Sequence, residues 1–375
     1  MNVFQSQWNP DTGWNRADCG SSGAQLVLMF GSTDALSRQE LIAEVQQSHP
    51  EAYLLGCSTA GEILGNKVAD DSLTATACTF AHSHIRTAEV ALDQYPDSAA
   101  AGDALARQLR VEGLAHVFVL SDGLNVNGTT LVQGLARGLP AGVAVTGGLA
   151  GDGARFARTL LCAGGQVRSG AVAAVGFIGD RLRVGYGSMG GWDTFGPERI
   201  VTRSRGNVLF ELDGQSALEL YKRYLGEHAA GLPASGLLFP LSIRADANSP
   251  SLVRTILGTN ETDGSMTFAG DIPEGHRAQL MRANMERLID GALGAAQHSD
   301  SITGGKSELG ILISCVGRKL VLRQRVEEEV EAVAEVLGHT RLSGFYSYGE
   351  ISPRMPTARC ELHNQTMTIT TLREV

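Results

Sequence analysis

Three segments of the chain contain the same pair, a glycine followed by an acidic residue, and this recurrence is the strongest constraint on the fold. The pairs are Gly61-Glu62, Gly151-Asp152 and Gly349-Glu350. Each pair follows an apolar strand, a polar turn, an amphipathic helix and a second short strand. The three segments are residues 25–80, 116–178 and 309–372. Their spacing is too long and irregular for a solenoid and predicts duplicated β-α-β-β units inside one compact molecule.

The order of the elements predicts the fold class and the domains. Helical and strand patterns alternate along the chain, which is typical of an α/β protein whose mixed sheets are flanked by helices. A chain of 375 residues is long enough for two packed domains, each with its own core. We predict a loose polar lead-in over residues 1–23, an N-terminal domain over 24–212 and a C-terminal domain over 213–375.

The composition disfavours several classes of protein. A formal net charge of -9 disfavours DNA or RNA as a partner, because phosphate binding needs a clustered basic surface. No apolar run reaches about 18 residues, and the N-terminus lacks the apolar core of a signal peptide, so no membrane span is expected. The six cysteines show no C-x-x-C spacing, which predicts free thiols in a reducing cytoplasm.

Two glycine motifs look like nucleotide-binding sequences but lack the required surroundings. Residues 185–190 fit the pattern G-x-G-x-x-G after a strand, yet residues 191–197 cannot begin the helix that would hold a pyrophosphate. Residues 304–307 read Gly-Gly-Lys-Ser, but they precede a strand instead of following one. Neither motif predicts a nucleotide site, and residues 185–190 are interpreted as a glycine-rich strand end.

Cys57 is a candidate nucleophile, because it lies in a tight turn of small residues whose backbone N–H groups can lower the pKa of a thiol. However, the other repeats carry Gly147 and Phe345 at this place, and no histidine close in sequence would activate the thiol. The favoured interpretation is a small buried thiol in a close-packed turn. A hydrolase-type enzyme that uses Cys57 is the alternative.

From about residue 24 to the C-terminus, the chain resembles the FIST family of bacterial sensory proteins. The resemblance rests on residues 56–63 and 146–152 in the N-terminal half, and on 239–241, 253–258, 315–319, 344–351 and 362–366 in the C-terminal half. It implies a non-catalytic input module that binds a small ligand such as an amino acid. FIST modules are often encoded beside, or fused to, histidine kinases or cyclic-di-GMP enzymes.

The resemblance also implies a signalling partner and a cofactor. The chain carries no kinase or cyclase segment, so we expect it to act by contact with a separate histidine kinase or a cyclic-di-GMP synthase or phosphodiesterase. Its length and organisation are similar to those of stand-alone members that look like haem-binding nitric oxide sensors. The most specific expectation is therefore a haem-based nitric oxide sensor, and the alternative is an amino-acid sensor.

The expected ligand site combines the acids of the repeats with two arginines and a polar turn. Glu62, Asp152 and Glu350 would converge near a pseudo-symmetric centre and bind an ammonium group, whereas Arg254 and Arg318 would pair with a carboxylate or propionate. Glycine-rich strand ends also let backbone N–H groups approach a ligand closely. The predicted site therefore includes Cys57, Ser58 and Thr59. The alternative is structural: the acids cap turns and the arginines make internal ion pairs.

A haem protein needs an axial ligand, most often histidine, and an apolar slot. His228 is the first choice, because a helix that also carries Tyr224 would present it rigidly beside the apolar residues 237–239. His363 is the second choice, since its segment, residues 362–366, lies beside a strand and belongs to the family resemblance.

Overall fold

The computed structural model describes residues 1–15, 23–354 and 360–375. The fold is mixed α/β, as predicted, with helices packed on the faces of mixed sheets. Over these ranges the strands form four sheets, and three of the sheets are each built around one repeat. Within the same ranges, no helix is long and apolar enough to cross a membrane.

The N-terminal part contains two leading strands and the first repeat. Its elements are β1 (Asn2–Asn9), β2 (Gly13–Asn15), β3 (Leu26–Gly31), α1 (Thr33–Leu36), α2 (Gln39–Ser48), β4 (Tyr53–Ser58), β5 (Glu62–Leu64), β6 (Lys67–Ala69) and β7 (Leu73–Thr79). Strand β3 is parallel to β4 and antiparallel to β7. Helix α2 covers this sheet with Leu41, Ile42 and Val45, whose spacing places them on one helix face.

The second repeat has the same strand pairing. Its part of the chain contains β8 (His84–Ala91), α3 (Ser98–Leu109), β9 (Leu114–Ser121), α4 (Gly128–Gly138), β10 (Ala144–Leu149), β11 (Leu161–Ala163), β12 (Gln166–Arg168) and β13 (Ala171–Ile178). Strand β9 is parallel to β10 and antiparallel to β13. Asn127 begins α4 as an N-cap, because its side chain accepts a hydrogen bond from Thr130 N at 3.2 Å.

A β-rich region separates the second and third repeats. It follows β14 (Leu182–Met189) and comprises β15 (Trp192–Thr194), β16 (Arg199–Arg205), β17 (Val208–Leu212), β18 (Gln215–Ser216), α5 (Ala217–Leu225), β19 (Leu241–Arg244), β20 (Leu252–Arg254), β21 (Ile256–Asn260), β22 (Ser265–Phe268) and β23 (Arg277–Ala283). The predicted boundary between residues 212 and 213 lies between β17 and β18, which pair with each other. Strands on both sides of that boundary therefore belong to one sheet.

The third repeat closes the chain. Its part contains α6 (Met285–Thr303), β24 (Leu309–Cys315), α7 (Val316–Leu322), α8 (Val326–Leu337), β25 (Arg341–Ser347), β26 (Gly349–Pro353), β27 (Cys360–His363) and β28 (Met367–Glu374). Strand β24 is parallel to β25 and antiparallel to β28, as in the other repeats. The same three-strand pairing thus recurs three times, which is the pattern that the repeated segments predict.

The three repeats exchange the hairpins that follow their Gly-acid pairs. Strand β5 pairs with β25 of the third repeat, β26 pairs with β10 of the second, and β11 pairs with β4 of the first. Main-chain hydrogen bonds follow the same cycle. They join Ala60 N to Tyr346 O at 2.8 Å, Gly151 N to Ser58 O at 2.9 Å and Tyr348 N to Leu149 O at 3.2 Å. This closed exchange brings the three Gly-acid segments together.

The N-terminus corrects the prediction of a loose lead-in. Residues 2–9 form β1, which is antiparallel to β7 from Asn2 to Trp8. Two glutamine side chains of this strand have internal partners: Gln5 Nε2 donates to Leu342 O at 2.9 Å, and Gln7 Nε2 donates to Ser72 Oγ at 3.1 Å. A strand whose amides are satisfied in this way looks like a polar loop in the sequence. The rest of the predicted lead-in includes residues 16–22, which lie outside the described residues.

The glycine motif at residues 185–190 serves close helix packing. It lies on β14, which packs against α6. A Cβ atom on Gly185 would lie 2.0 Å from Ser299 O, and one on Gly187 would lie 2.2 Å from Ala295 O. Only glycine permits this approach. The next element is a strand and not a helix, so the interpretation as a glycine-rich strand end is confirmed.

Candidate functional site

A groove opens beside the meeting point of the repeats, and we call it the junction groove. It consists of two adjoining cavities of about 480 and about 150 Å³. Both cavities are lined by Ala60 and Asp70 of the first repeat and by Gly153 and Ala154 of the second. Helix α7 of the third repeat adds Lys319 and further residues to the larger cavity. All three repeats therefore contribute to one groove.

The turn at residues 59–62 shapes the first wall of the junction groove. Thr59 Oγ1 donates to Glu62 Oε1 at 2.5 Å and accepts from Gly61 N at 3.2 Å. Gly61 has a φ of +132°, which side chains rarely permit, and a Cβ atom there would lie 2.3 Å from Lys319 Nζ. The glycine thus allows the turn and leaves space for a lysine from another repeat.

Lys319 joins the third repeat to the first across the groove. Its Nζ donates to Ala60 O at 2.9 Å, forms an ion pair with Asp70, and lies 5.5 Å from the centre of the Tyr346 ring. The Lys319 side chain is 16% exposed and that of Asp70 is 68% exposed. The ion pair therefore borders the solvent, where a charged ligand can compete for either partner.

Glu62 and Glu350 occupy equivalent places and have the same hydrogen-bond pattern. Glu62 Oε2 accepts from Ser72 N at 3.1 Å and from Ser72 Oγ at 2.7 Å. Glu350 Oε2 accepts from Thr366 N at 3.2 Å and from Thr366 Oγ1 at 3.0 Å. In both cases Oε1 accepts from the hydroxyl group three residues earlier. Each acid thus fastens the loop before the last strand of its repeat.

Burial changes the ionisation of these two acids. It raises the pKa of Glu62 from 4.5 to about 7, and the hydrogen bonds from Ser72 oppose this rise. It raises the pKa of Glu350 from 4.5 to about 8 against the hydrogen bonds from Ser347 and Thr366. Glu62 lines the smaller cavity of the junction groove. Its carboxyl group therefore places a charge there that changes near neutral pH.

Asp152 also lines the smaller cavity, but its oxygen atoms hold the loop that follows it. Oδ1 accepts from Phe156 N at 2.9 Å and from the Tyr348 hydroxyl group. Oδ2 accepts from Ala157 N at 2.9 Å and from Arg158 N at 2.8 Å. This turn-capping role matches the structural alternative for the acid.

Other charged side chains of the junction groove are open to a ligand. Asp71 and Arg155 line the smaller cavity, Arg323 lines the larger one, and all three are exposed. In the part of the chain that the structure describes, no ion pair engages any of them. The smaller cavity therefore offers a carboxylate and a guanidinium group, and the adjoining larger cavity offers a second guanidinium group.

The two predicted arginines lie outside the junction groove and are buried. Arg318 is 0% exposed, and its Nε and Nη2 donate to Glu329 Oε2 at 3.0 and 2.7 Å. Nη2 also donates to Leu288 O at 2.7 Å. Arg254 is 4% exposed and donates to three main-chain carbonyl groups, including that of Leu362 at 3.2 Å. Arg318 therefore has an internal counter-charge, whereas Arg254 bonds to neutral groups.

Cys57 and Ser58 are buried in the core beside the turn. Burial raises the pKa of the Cys57 thiol well above its usual value, and the charge of Glu62 adds to this rise. A nucleophilic cysteine needs a thiol that is both accessible and readily ionised, and the Cys57 thiol is neither. Ser58 Oγ accepts from Leu160 N at 2.9 Å. Of the three predicted turn residues, Thr59 lines the groove.

The two histidines have different environments. Helix α5 ends at Leu225, so His228 lies on the following 3-10 helix, where it is exposed with its ring centre 5.3 Å from that of Phe239. The prediction that one helix carries both Tyr224 and His228 is therefore wrong, because Gly226 has a φ of +57° and ends α5. His363 is buried at the end of β27.

His363 has a fixed protonation state and lies beside a second cavity. Its Nε2 lies 2.9 Å from Ser352 O, and burial lowers its pKa to about 4, so the ring is neutral near pH 7. The cavity has a volume of about 450 Å³ and is also lined by Trp192 and Met281. Over the described ranges, no group of three or more His, Cys, Asp or Glu residues could hold a metal ion.

Sequence reasoning includes Glu62 and Asp152 but misses other charged residues that line the groove, among them Lys319, Asp71 and Arg323. Segment 315–319 is part of the family resemblance and predicts Arg318 as a ligand contact, yet Lys319 is the residue of this segment that lines the groove. Adjacent residues on a helix differ in direction by about 100°, so burial of Arg318 on α7 turns Lys319 outwards. Asp71 and Arg323 have positive φ values of 55° and 52°, which no sequence motif marks.

Comparison with known proteins identifies the family. Residues 25–215 match the FIST N domain, and residues 217–353 match the FIST C domain. An uncharacterized protein from Mycobacterium tuberculosis strain CDC 1551 / Oshkosh is 25% identical over 355 residues, which cover 89% of this chain and 88% of that protein. An uncharacterized protein from Mycobacterium bovis strain ATCC BAA-935 / AF2122/97 is 24% identical over 364 residues, which cover 91% and 89%. The chain therefore belongs to the FIST family, whose domains are sensory domains of signalling proteins.

Proposed function

We propose that this protein senses a free amino acid, which binds in the junction groove, and that it signals through a separate protein. One observation carries the proposal: the exposed acid Asp71 lines the smaller cavity of this groove, and the exposed base Arg323 lines the adjoining larger one. A free amino acid has one ammonium and one carboxylate group, so it complements both charges. Sensory function in the family supports the same class of activity.

The surroundings of the groove support a signalling role. Its larger cavity is lined by Ala234 and Leu238 of a 3-10 helix in the β-rich region, and by Val316 and Lys319 of α7. A ligand that contacts both walls would favour one arrangement of the two regions over another. We propose that a histidine kinase or a cyclic-di-GMP synthase or phosphodiesterase responds to this change. The free cysteines suit a cytoplasmic location, where thiols stay reduced.

Thermal melting with each common amino acid tests the proposal. A ligand present at about 100 times its Kd stabilises the folded state by about 2.7 kcal/mol, so the right amino acid should raise Tm by several degrees. Asp71→Asn and Arg323→Gln should remove this rise and leave the melting of the free protein unchanged. Arg205→Gln is the matched control, because it alters an exposed arginine on β16, away from the groove. If no amino acid raises Tm, the proposal fails.

A haem-based nitric oxide sensor is a second candidate, favoured by one observation at His363. Because Ser352 O accepts the proton of Nε2, the neutral ring keeps a lone pair on Nδ1, which is how a histidine is prepared to bind a metal. His363 is also buried beside Trp192 and Met281, whereas His228 is exposed. His363 would hold haem through its ring, and bound haem would supply an iron that binds a diatomic gas.

A haem titration separates the two histidines and the two candidates. Saturable binding should give a sharp Soret band that shifts when nitric oxide is added to the ferrous form. His363→Ala should release haem, whereas His228→Ala should retain it. The opposite result would make His228 the axial ligand. Absence of saturable binding would reject the haem candidate and leave the amino-acid proposal untouched.

A further inference from the structure

We propose that the cavity beside His363 is a second ligand site, which binds an organic molecule with a carboxylate group and a flat apolar body. We call it the C-terminal cavity. It has a volume of about 450 Å³ and lies between the β-rich region and the segment that joins β27 to β28. This volume is within the range of about 300–1,000 Å³ that is usual for small-molecule pockets. The proposal does not depend on ligand binding in the junction groove.

Apolar side chains form one wall of the C-terminal cavity. Trp192 is buried, and its Nε1 donates to Gln365 O at 3.0 Å, which fixes the orientation of the indole ring. Met281 is also buried, whereas Met189 at the cavity is 48% exposed. An exposed methionine next to a fixed indole ring can adapt to the flat face of a ligand.

Asn364 supplies a hydrogen-bond donor that has no acceptor. It lines the cavity and is 1% exposed. Its Oδ1 accepts from Thr255 N at 3.4 Å, which sets the direction of the amide. Among the residues that the structure describes, Nδ2 has no hydrogen-bond partner. Such a buried donor costs about 1–3 kcal/mol, and an acceptor atom on a ligand would remove this cost.

Two arginines make the C-terminal cavity attractive to an anion. Arg354 lines it, with a side chain that is 28% exposed and paired with Glu361 at 3.2 Å. Arg254 is buried behind it and bonds to main-chain carbonyl groups. Burial lowers the pKa of His363, the hydrogen bond with Ser352 O opposes this, and the charges of Arg354 and Arg254 add smaller contributions that lower it. Two guanidinium groups beside the cavity favour a carboxylate on a ligand over a cationic group.

Calorimetric titration with phenylacetate and with phenylacetamide tests this inference. The two probes have the same aromatic body and differ in the carboxylate group. Phenylacetate should bind saturably, and phenylacetamide should bind at least about tenfold more weakly, because a charge-assisted hydrogen bond contributes about 1.5–3 kcal/mol. Equal affinity for both probes would overturn the inference.

Asn364→Asp is the decisive variant, because it keeps Oδ1 for Thr255 N and replaces the Nδ2 donor with a negative charge. It should weaken phenylacetate binding at least about tenfold. Asn66→Asp makes the same change at an exposed position and should have no effect. Arg323→Gln in the junction groove should also have no effect. Unchanged phenylacetate binding by a folded Asn364→Asp variant would overturn the inference.

The carboxylate can belong to a free acid or to the propionate of a porphyrin, and a second titration separates these sources. It compares ferric haem with its dimethyl ester, in which both propionates are blocked. If haem binds, and both the ester and the Asn364→Asp variant bind poorly, the recognition of a carboxylate is supported with a porphyrin as its source. If neither phenylacetate nor haem binds saturably, the inference is overturned.

Discussion

Removal of the buried Arg318 should destabilise the fold without affecting ligand binding. Arg318 and Glu329 are both 0% exposed, and the carboxylate also accepts from Ser314 Oγ at 3.0 Å and Tyr346 OH at 2.7 Å. In the variant Arg318→Met, Glu329 keeps these two neutral donors but loses its counter-charge. Removal of one partner from a buried ion pair typically costs about 3–5 kcal/mol.

The upper half of that range is expected, because Arg318 also donates hydrogen bonds to two main-chain carbonyl groups. Its Nη2 donates to Leu288 O at 2.7 Å and its Nη1 donates to Gly190 O at 3.2 Å. These carbonyl groups tie α6 and the end of β14 to α7, and methionine offers them no donor. We therefore expect a loss of about 4–5 kcal/mol in the free energy of unfolding, a large fraction of the usual 5–15 kcal/mol.

Urea unfolding followed by tryptophan fluorescence measures this loss. The double variant Arg318→Met/Glu329→Gln should recover part of it, because no uncompensated charge remains in the core. Arg325→Met is the matched control: this arginine pairs with Glu286 and Glu328 near the surface, and its loss should change stability far less. If Arg318→Met unfolds at the wild-type urea concentration but binds amino acid or haem poorly, Arg318 contacts the ligand and the reasoning is refuted.

Three further predictions concern the acids, the turn and the N-terminal strand. Burial raises the pKa of Glu350 from 4.5 to about 8, so between these pH values the folded protein retains a proton that the unfolded chain releases. The free energy of unfolding should therefore fall as the pH rises from about 4.5 to about 8. Glu350→Gln should remove this pH dependence, as measured by urea unfolding at several pH values. Gly61→Ala should cost about 1–3 kcal/mol in urea unfolding, because φ is +132° and the new Cβ would displace Lys319 Nζ. Deletion of residues 1–9 should lower Tm and promote aggregation measured by light scattering, since it exposes the edge of β7; an unchanged, monomeric protein would contradict the role of β1.

The sequence predicts the repeated unit but not how the units combine. Each strand–helix–strand unit is a local pattern, so its apolar periodicity and its Gly-acid pair are visible in the chain. The exchange of hairpins depends on pairs such as Glu62 and Phe345, which are far apart in sequence and carry no local signal. Strand β1 is not predicted from the sequence for a different reason. Its glutamine side chains are polar, and their internal hydrogen-bond acceptors are brought near only in the folded protein.

The sequence predicts that the Gly-acid segments come together, but not which side chains line the groove beside them. The Gly-acid segments do meet, and Glu62 and Asp152 line the junction groove. However, the carboxylate oxygens accept hydrogen bonds from their own loops, which a sequence cannot distinguish from binding to a ligand. Asp71 and Arg323, whose exposed side chains line the groove, both have positive φ values, and no sequence motif predicts this backbone conformation.

Calorimetric titration of ligand analogues against two variants tests the amino-acid proposal most directly. The ligand found by thermal melting is compared with its amide, which lacks the carboxylate, and with its deaminated acid, which lacks the ammonium group. Arg323→Gln should weaken binding of the amino acid at least about tenfold and leave the affinity for the amide unchanged. Asp71→Asn should weaken binding of the amino acid by a similar factor and leave the affinity for the deaminated acid unchanged. If either variant weakens all three ligands equally, or none of them, the two charges of the groove do not recognise the two ends of an amino acid.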